Sequence, residues 1–181
     1  MVSFKNVFIF TSVAIAAANP VQPYTRQHAK RSIYNNAMTA IGGALWDMKL
    51  EMIAYDGLGY PDSFMVALTA LNQAIGVAID AARGDPRPLN DADAKAIAHY
   101  TSLTTPGYVE KFGNSLYEKK KNFDASTKKT MREKMTTASD GFNDMCALFK
   151  KRMQGDLADE FDDGCLQVNL DFGGILENLQ D

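Results

Sequence analysis

The 181-residue sequence lacks most of the patterns that accompany catalysis or cofactor binding. It has no His-x-x-x-His spacing, no zinc-type cysteine spacing, no Gly-x-Ser-x-Gly turn and no glycine-rich phosphate loop. His99 stands alone on a predicted helix, and a thiol dyad between it and Cys146 conflicts with the disulfide considered below. We therefore expect a protein that is not an enzyme and that needs no metal or cofactor.

Strand-like alternation of apolar and polar residues is also missing, as is an excess of positive charge. The formal net charge of the whole sequence is −3, and residues 1–31 carry four basic residues and no acid. Without that segment the charge would be −7, which is the wrong sign for a nucleic-acid-binding protein. Apolar residues instead recur every three or four positions from Ile33 to Leu179, a spacing typical of amphipathic helices.

The first 18 residues have the features of a secretory signal peptide. Lys5 supplies a positive charge, residues 7–18 form a short apolar run, and Ala16, Ala17 and Ala18 provide the small residues of a cleavage site. The run is too short to span a bilayer. No later apolar run of membrane length and no hydrophobic tail of a lipid-anchor signal is evident. We expect a secreted, extracellular protein that is at most loosely associated with a cell wall.

Residues 19–31 are predicted to form a short, extended pro-segment that ends at the dibasic pair Lys30-Arg31. A processing protease would cut after this pair and leave residues 32–181 as one binding domain. Alternatively, Lys30 and Arg31 are two solvated residues before the first helix. N-terminal sequencing of the secreted protein separates the two interpretations, since a mature start at Asn19 rules out the dibasic cut.

The remaining sequence predicts an all-α fold, an antiparallel bundle of five main helices. The first spans about Ser32–Tyr55, with Ile33 on its inner stripe, and the second begins after a cap at Asp62 or Ser63. The third, capped by Asn90 or Asp91, is kinked or split near Pro106, and its inner side includes Leu103. Asp124 caps the fourth helix, and Gly155-Asp156 separates it from the fifth.

Cys146 and Cys165 are the two cysteines of the sequence. If the last turn is at Gly155-Asp156, the two lie at similar heights on facing helices, and a disulfide would stabilise the hairpin by about 3 kcal/mol. If the turn is at Asp162-Asp163-Gly164, they lie too far apart for a bond and remain buried thiols.

A basic cluster stands out in this acidic sequence. It would either solvate a turn between two helices or meet an anionic polymer, a lipid headgroup or a fatty-acid carboxylate. The acidic pairs near the start of the last helix suit the helix dipole and a solvated face. The sequence offers no obvious buried cation. The basic residues are Lys119, Lys120, Lys121, Lys128, Lys129, Arg132 and Lys134.

Methionines are frequent on the predicted helices. A Met-lined interior can repack around a variable guest, although Met at helical spacing is also ordinary core. We predict that an apolar cavity is lined by inner-stripe residues near the middle of the helices, namely Met48, Met52, Leu68, Leu71, Ile75, Phe112, Leu116, Met135, Phe142 and Phe149.

A series of ordered landmarks resembles the fungal hydrophobic surface-binding protein A and cell-wall galactomannoprotein family. These landmarks include Ile53-Ala54-Tyr55-Asp56-Gly57, Leu68-Thr69-Ala70-Leu71, Leu89-Asn90-Asp91-Ala92-Asp93-Ala94, the segment Leu116-Tyr117-Glu118-Lys119-Lys120-Lys121-Asn122-Phe123-Asp124, and Ala138-Ser139-Asp140-Gly141-Phe142. The resemblance covers residues 33–179. It implies a secreted five-helix bundle with an apolar tunnel that holds long-chain fatty acids or adsorbs to hydrophobic surfaces, where relatives recruit a polyester-degrading hydrolase.

Two function classes therefore remain open at the level of the sequence. The first is a non-enzymatic lipid or hydrophobic-surface binder of fungal origin. The second is a small secreted effector or interaction protein whose solid core supports a surface that binds a host protein. Co-purified fatty acid in native mass spectrometry favours the first, whereas a ligand-free protein that ignores fatty acids and apolar surfaces favours the second.

Overall fold

The computed structural model describes the backbone of residues 23–180 and the side chains of residues 33–180. Within this part of the chain the secondary structure is helical and no strand occurs, which confirms the predicted all-α class. The predicted signal peptide (residues 1–18) and residues 19–22 of the predicted pro-segment lie outside the described residues. The side chains of Lys30 and Arg31 lie outside them too.

The helices follow the predicted order. A π-helical turn, Tyr100–Thr104, joins α3 to α4 without a break, so that α3, the turn and α4 form one kinked element and the bundle has five main helices. The helices are α1 (Pro23–Ala54), α2 (Asp62–Gly84), α3 (Asp91–His99), α4 (Thr105–Lys119), α5 (Ala125–Lys150) and α6 (Asp156–Asn178).

Two of the predicted helix caps are confirmed. The Asn90 side chain accepts a hydrogen bond from the Asp93 amide at 3.2 Å, and Asp124 accepts one from the Thr127 amide at 2.6 Å. The Thr127 amide also holds the pKa of Asp124 below its ordinary value, because it favours the ionised carboxylate. Each cap satisfies an amide that would otherwise lack a partner in the first turn.

Two helix starts differ from the prediction. Helix α1 begins at Pro23 and not near Ser32, because proline suits the first position of a helix and no further Gly or Pro follows before residue 42. Helix α2 is preceded by Pro61, which offers no capping side chain, in place of a cap at Asp62 or Ser63. Asp62 lies instead in the first turn, where its carboxylate faces the positive end of the helix dipole.

The kink lies just before Pro106. Proline has no amide hydrogen to donate. Over the turn before it, the spacing of the backbone hydrogen bonds lengthens from four residues to five, so that the Thr105 amide donates to the Tyr100 carbonyl. The buried positions run from Ala98 through Thr101 and Thr105 at ordinary helical spacing. Leu103, predicted to face inward, lies off this stripe and is 64% exposed.

The inner stripe of α1 begins one residue later than predicted. Ile33 is 41% exposed, whereas Tyr34 is buried and its hydroxyl donates to the Ala81 carbonyl at 3.2 Å. From Tyr34 the buried positions continue through Met38 and Ile41 at helical spacing. The first turn of the described stripe is thus fixed by a tyrosine that reaches across to α2.

The helices pack as a closed ring. In cyclic order α1 packs against α2, α2 against α5, α5 against α6, α6 against α3 and α4, and these two against α1. Each element therefore buries its apolar stripe toward a common axis. A ring of this kind places side chains from every helix around one elongated interior.

Consecutive helices alternate in direction, as an antiparallel bundle requires, but some neighbours in the ring are parallel. Asn72 of α2 donates to the Lys134 carbonyl of α5, and Ile75 lies against Gly141, further along both helices. We call the end of the bundle that holds the α1–α2 loop the upper end. The end that holds residues 85–90 is the lower end.

The disulfide between Cys146 and Cys165 is present, with a Cα–Cα distance of 6.2 Å. The turn at Gly155, whose φ of 59° suits glycine, sets the two cysteines level with each other on α5 and α6. A closed loop of this length contributes about 3 kcal/mol to stability. The ion pair of Lys150 with Asp162, at 2.7 Å, lies one turn away on the same two helices.

Helix α2 is long and apolar enough to cross a bilayer, and it is the one such helix in the described part of the chain. The sequence analysis did not count it as a run of membrane length. Half of its most apolar stretch is buried, and the helix packs between α1 and α5. Its apolar composition is thus accounted for by the core of the bundle.

Two adjacent glycines of α1 differ in what surrounds them. A Cβ added to Gly42 would coincide with the hydroxyl of Tyr100, whereas one added to Gly43 meets nothing within 4 Å. Gly42 is buried and Gly43 is exposed. The absence of a side chain at Gly42 therefore lets α1 and the π turn approach closely.

We predict opposite effects of the same substitution at these two positions. Gly42→Ala must displace Tyr100 and should destabilise the fold by about 1–3 kcal/mol. Gly43→Ala should stabilise it by about 0.5–1 kcal/mol, because alanine favours a helix and has room. Denaturant unfolding of both variants measures the difference, and equal stabilities would contradict the packing described here.

Candidate lipid-binding interior

All ten residues predicted to line a cavity point into the ring. Each of them is 2% exposed or less. They come from α1, α2, α4 and α5, so the sequence places residues of four different helices in one interior. Their contact with a ligand stays a prediction. The structure adds a fifth wall from α6, which the sequence analysis left out of the lining, made of Phe161, Val168, Phe172 and Ile175.

Aromatic pairs cross the ring near both ends. Toward the upper end, Phe64 of α2 stacks on Phe112 of α4, with ring centroids 5.3 Å apart. At the lower end, Tyr34 of α1 meets the edge of Phe149 of α5 at 5.8 Å. The two members of each pair belong to helices that are not neighbours in the ring. These pairs therefore bound a central stretch of the interior.

The central stretch is mostly aliphatic and thioether in character. On α2, Phe64 marks the height of the upper aromatic pair, and Ala81, whose carbonyl accepts from Tyr34, marks the height of the lower pair. These two residues are 17 positions apart along the helix, or roughly 25 Å. Each of the eight methionines that follow the predicted leader was predicted to lie in a helical stretch, and Met153 departs from this because α5 ends at Lys150. All eight are buried. They are Met38, Met48, Met52, Met65, Met131, Met135, Met145 and Met153.

One polar group in the middle of the bundle has no partner. Thr101, in the π turn, is fully buried, and its hydroxyl makes no hydrogen bond. Thr105, also buried, donates its hydroxyl to the Tyr100 carbonyl at 3.1 Å. Burial raises the pKa of the Tyr100 phenol, with a smaller contribution from Tyr108. The π turn is thus the most polar part of an otherwise apolar wall.

Arg152 corrects the expectation that the protein lacks a buried cation. Only 6% of this residue is exposed, although it follows two exposed lysines at the end of α5. A run of Lys150, Lys151 and Arg152 has the appearance of a solvated helix end in the sequence. The feature of the sequence that could have indicated the burial of Arg152 is its position between Phe149 and Met153, which both belong to the inner stripe.

The basic cluster divides into structural and solvated members. The ammonium group of Lys119 donates to the carbonyls of Ile53 and Tyr55, at the carboxyl end of α1, the first at 2.7 Å. Lys120 and Lys134 bond to Asn178 and Thr69 at 3.2 and 3.3 Å. Three members of the cluster therefore join helix ends and helix faces, a structural role that neither of the two interpretations predicted. Lys121, Lys129 and Arg132 are exposed and Lys128 is partly exposed.

Other candidate groups lie on the surface. His99 is exposed at the end of α3, and Asp159, Glu160, Asp162 and Asp163 are exposed on α6. Cys146 is bonded to Cys165 and is not a free thiol. The residues that the structure brings together are therefore apolar ones, with Thr101 and Arg152 as the polar groups that reach the interior without full pairing.

The fold is shared with solved fungal ligand-binding proteins. Ligand-binding domain 1 of the Penicillium marneffei MP1 protein, solved with arachidonic acids, superposes with a TM-score of 0.75 at 16% identity, over 84% of this chain and 99% of that one. AFMP4P, solved with palmitic acid, gives 0.76 at 11% identity, over 83% and 99%. Ligand-binding domain 2 of MP1, with multiple arachidonic acids, gives 0.70 at 13% identity, over 82% and 95%.

At these identities the similarity shows the fold. No known protein family and no curated protein matches the sequence. Membership of the hydrophobic surface-binding protein A and galactomannoprotein family therefore stays a prediction. The helical-bundle architecture, in contrast, is common to this chain and to proteins whose structures contain fatty acids.

Asp171 on α6 provides a test of the electrostatics beside this interior. Burial raises the pKa of its carboxyl group and Glu110 adds to the rise, against the opposing hydrogen bond from Gln167. One of its oxygens is buried without a partner. Because the folded-state pKa is raised, ionised Asp171 lowers stability at neutral pH, and this cost disappears as the pH falls below that pKa.

We predict that Asp171→Asn raises Tm at pH 7, because the neutral amide removes the partly buried charge. The gain over wild type should vanish near pH 3, about one unit below the ordinary Asp pKa of ~3.9, where both side chains are neutral. Thermal unfolding at the two pH values measures this. Asp163→Asn, at an exposed site on the same helix, is the control. A gain that is the same at both pH values would contradict the assignment.

Proposed function

We propose that this protein binds a long-chain fatty acid, or a lipid of similar shape, along the axis of its helical ring. The observation that carries the proposal is the closed ring of helices with an interior of methionine, phenylalanine and leucine. The same fold in proteins solved with palmitic and arachidonic acids supports it. The elongated interior matches the shape of a single acyl chain better than that of a compact ligand.

The methionines make the interior adaptable. Met48 and Met52 lie on α1, and Met135 and Met145 lie on α5, on two helices that face each other across the ring. Methionine is unbranched and flexible, so it can change rotamer to make room for a guest at little cost. An interior built this way can close on itself without ligand and open around one.

The energies permit useful affinity. Burial of a sixteen-carbon tail gains about 0.8 kcal/mol per methylene, or roughly 12 kcal/mol in total. Association costs about 4–15 kcal/mol. At the low end of that cost the net gain is about 8 kcal/mol, which corresponds to roughly micromolar affinity.

We predict that palmitic acid binds the purified protein and that filling the interior prevents this. Ile75→Phe adds volume at a buried site on α2, and it should weaken palmitate binding by about tenfold or more. Val77→Phe, on the exposed side of the same helix, should bind like wild type. Native mass spectrometry and titration measure binding, and thermal unfolding checks that both variants are folded.

Failure to bind lipid would favour the other function class, the secreted interaction protein. A folded wild-type protein that carries no lipid from its source and takes up no palmitate would contradict lipid binding. It would support the alternative, a secreted interaction protein with a solid core. Equal loss of binding in the Ile75 and Val77 variants would contradict the placement of the ligand in the ring.

We further propose that the protein is secreted after removal of residues 1–18 and processed after Arg31. The support for this cut is the dibasic pair Lys30-Arg31 in the sequence. Cleavage there would fall within α1, which begins at Pro23, and would leave Ser32 as the first residue. A mature sequence that begins at Ser32 is the expected result, and one that begins at Asn19 would contradict it.

Adsorption to hydrophobic surfaces is a second proposed activity, supported by an apolar row on the outside of α1. Trp46, Leu50 and Ile53 are 40%, 43% and 52% exposed, and their spacing puts them on one face. Leu58, in the following loop, is 78% exposed at the same end. A protein adsorbed through this row would leave its other faces free to recruit a secreted polyester hydrolase.

We predict that the double substitution Leu50→Lys and Ile53→Lys reduces adsorption to polystyrene beads several-fold, because it places two charges in the row. The matched control is Leu166→Lys with Leu170→Lys, which changes two exposed leucines on α6. The fraction of protein depleted from solution is the readout. An equal reduction in both variants would contradict a specific role for the α1 row.

A further inference from the structure

Arg152 closes the lower end of the ring interior. Its backbone is held on both sides, because the Leu89 amide donates to the Arg152 carbonyl at 2.9 Å and the Arg152 amide donates to the Phe149 carbonyl at 2.9 Å. Its Nε donates to the Arg87 carbonyl at 2.9 Å. The side chain is therefore tied to the loop between α2 and α3 and does not extend into solvent.

The guanidinium group lies against the aromatic pair that crosses the ring. Its central carbon is 4.8 Å from the ring centroid of Tyr34 and 5.9 Å from that of Phe149. Phe149 in turn contacts Phe161 of α6 at 6.4 Å. The charge is thus placed beside rings from two helices, α1 and α5, and cation–π contacts account for part of its stabilisation.

One nitrogen of this group lacks a partner. Nη1 of Arg152 is buried and makes no hydrogen bond. Within residues 33–180 no carboxylate forms an ion pair with Arg152, and Asp85, in the neighbouring loop, bonds through both oxygens to Arg87 at 2.8 and 2.9 Å. A buried charged donor without an acceptor is costly, so this position favours an anionic ligand.

We propose that Nη1 of Arg152 binds the carboxylate of the fatty acid, and that the acyl tail extends from there toward the Phe64–Phe112 pair. This inference rests on the proposed lipid-binding function and adds the orientation of the ligand, whose carboxylate head lies at the lower end. A buried amino group with two N–H donors, beside two aromatic rings, suits a small monoanionic head. It suits a bulky phosphodiester headgroup poorly.

The opposite end of the bundle is a weaker candidate for the head. There Lys119 already bonds to carbonyls at the end of α1, and Lys120 bonds to Asn178. The buried hydroxyl of Thr101 is the other unpartnered group of the interior, but it is neutral. A charged donor contributes more than a neutral hydroxyl to binding a carboxylate.

The test compares palmitic acid with methyl palmitate, which has the same tail and no charge. Wild type should bind the acid about tenfold or more tightly, the value of one hydrogen bond to a charged group. In Arg152→Met, which keeps an unbranched apolar side chain but removes the guanidinium group, this preference should disappear. In Arg152→Lys it should be retained in part. Thr101→Val is the matched control and should keep the full preference.

The outcomes separate this proposal from lipid binding itself. Equal affinity of wild type for acid and ester overturns the Arg152 anchor and leaves lipid binding intact, and this comparison needs no variant to fold. Uptake of neither compound overturns the proposed function. If folded Arg152→Met keeps the preference for the acid, or Thr101→Val loses it, the head is bound elsewhere and the anchor is rejected. Circular dichroism and thermal unfolding establish that each variant is folded.

Discussion

The constraint on which this structure depends is that five apolar stripes must be buried around one axis. Every main helix packs chiefly against two neighbours, so none occupies the centre and the centre must be filled by side chains alone. A ring of five leaves more space along its axis than a pair of facing helices would. The chain fills that space with flexible methionines and with aromatic pairs such as Phe64 and Phe112, which stack across it.

Close approach of the backbones is needed where the ring closes. At Gly164 an added Cβ would meet the backbone of Ser102 at 2.7 Å, so α6 and the π turn touch almost directly. On the other side of that turn the tight contact is with a side chain, because a Cβ added to Gly42 would coincide with the Tyr100 hydroxyl. The least regular part of the bundle is therefore held between two glycines. This arrangement explains how a distorted turn can remain a well-packed section of the wall.

Much of the fold could be predicted from the sequence, because periodicity and helix caps are local signals. The stripes of α2 and α5, the caps at Asn90 and Asp124 and the cysteine pairing depend on residues close together in the chain or on one turn position. Leu103 was misplaced because the inner stripe passes here through two threonines, Thr101 and Thr105, which a pattern of apolar residues does not include. Arg152 was missed because its burial depends on a loop from another part of the chain. Both errors concern polar side chains that are buried by the packing of other elements.

The bond between Cys146 and Cys165 has a consequence for how a guest could enter. A covalent link keeps α5 and α6 together as long as it is oxidised, so these two helices cannot separate to form a portal. Any gate must open between other members of the ring or at one of its ends. Reduction of the bond would add a new route, and exchange of ligand would then become sensitive to the redox conditions around the protein.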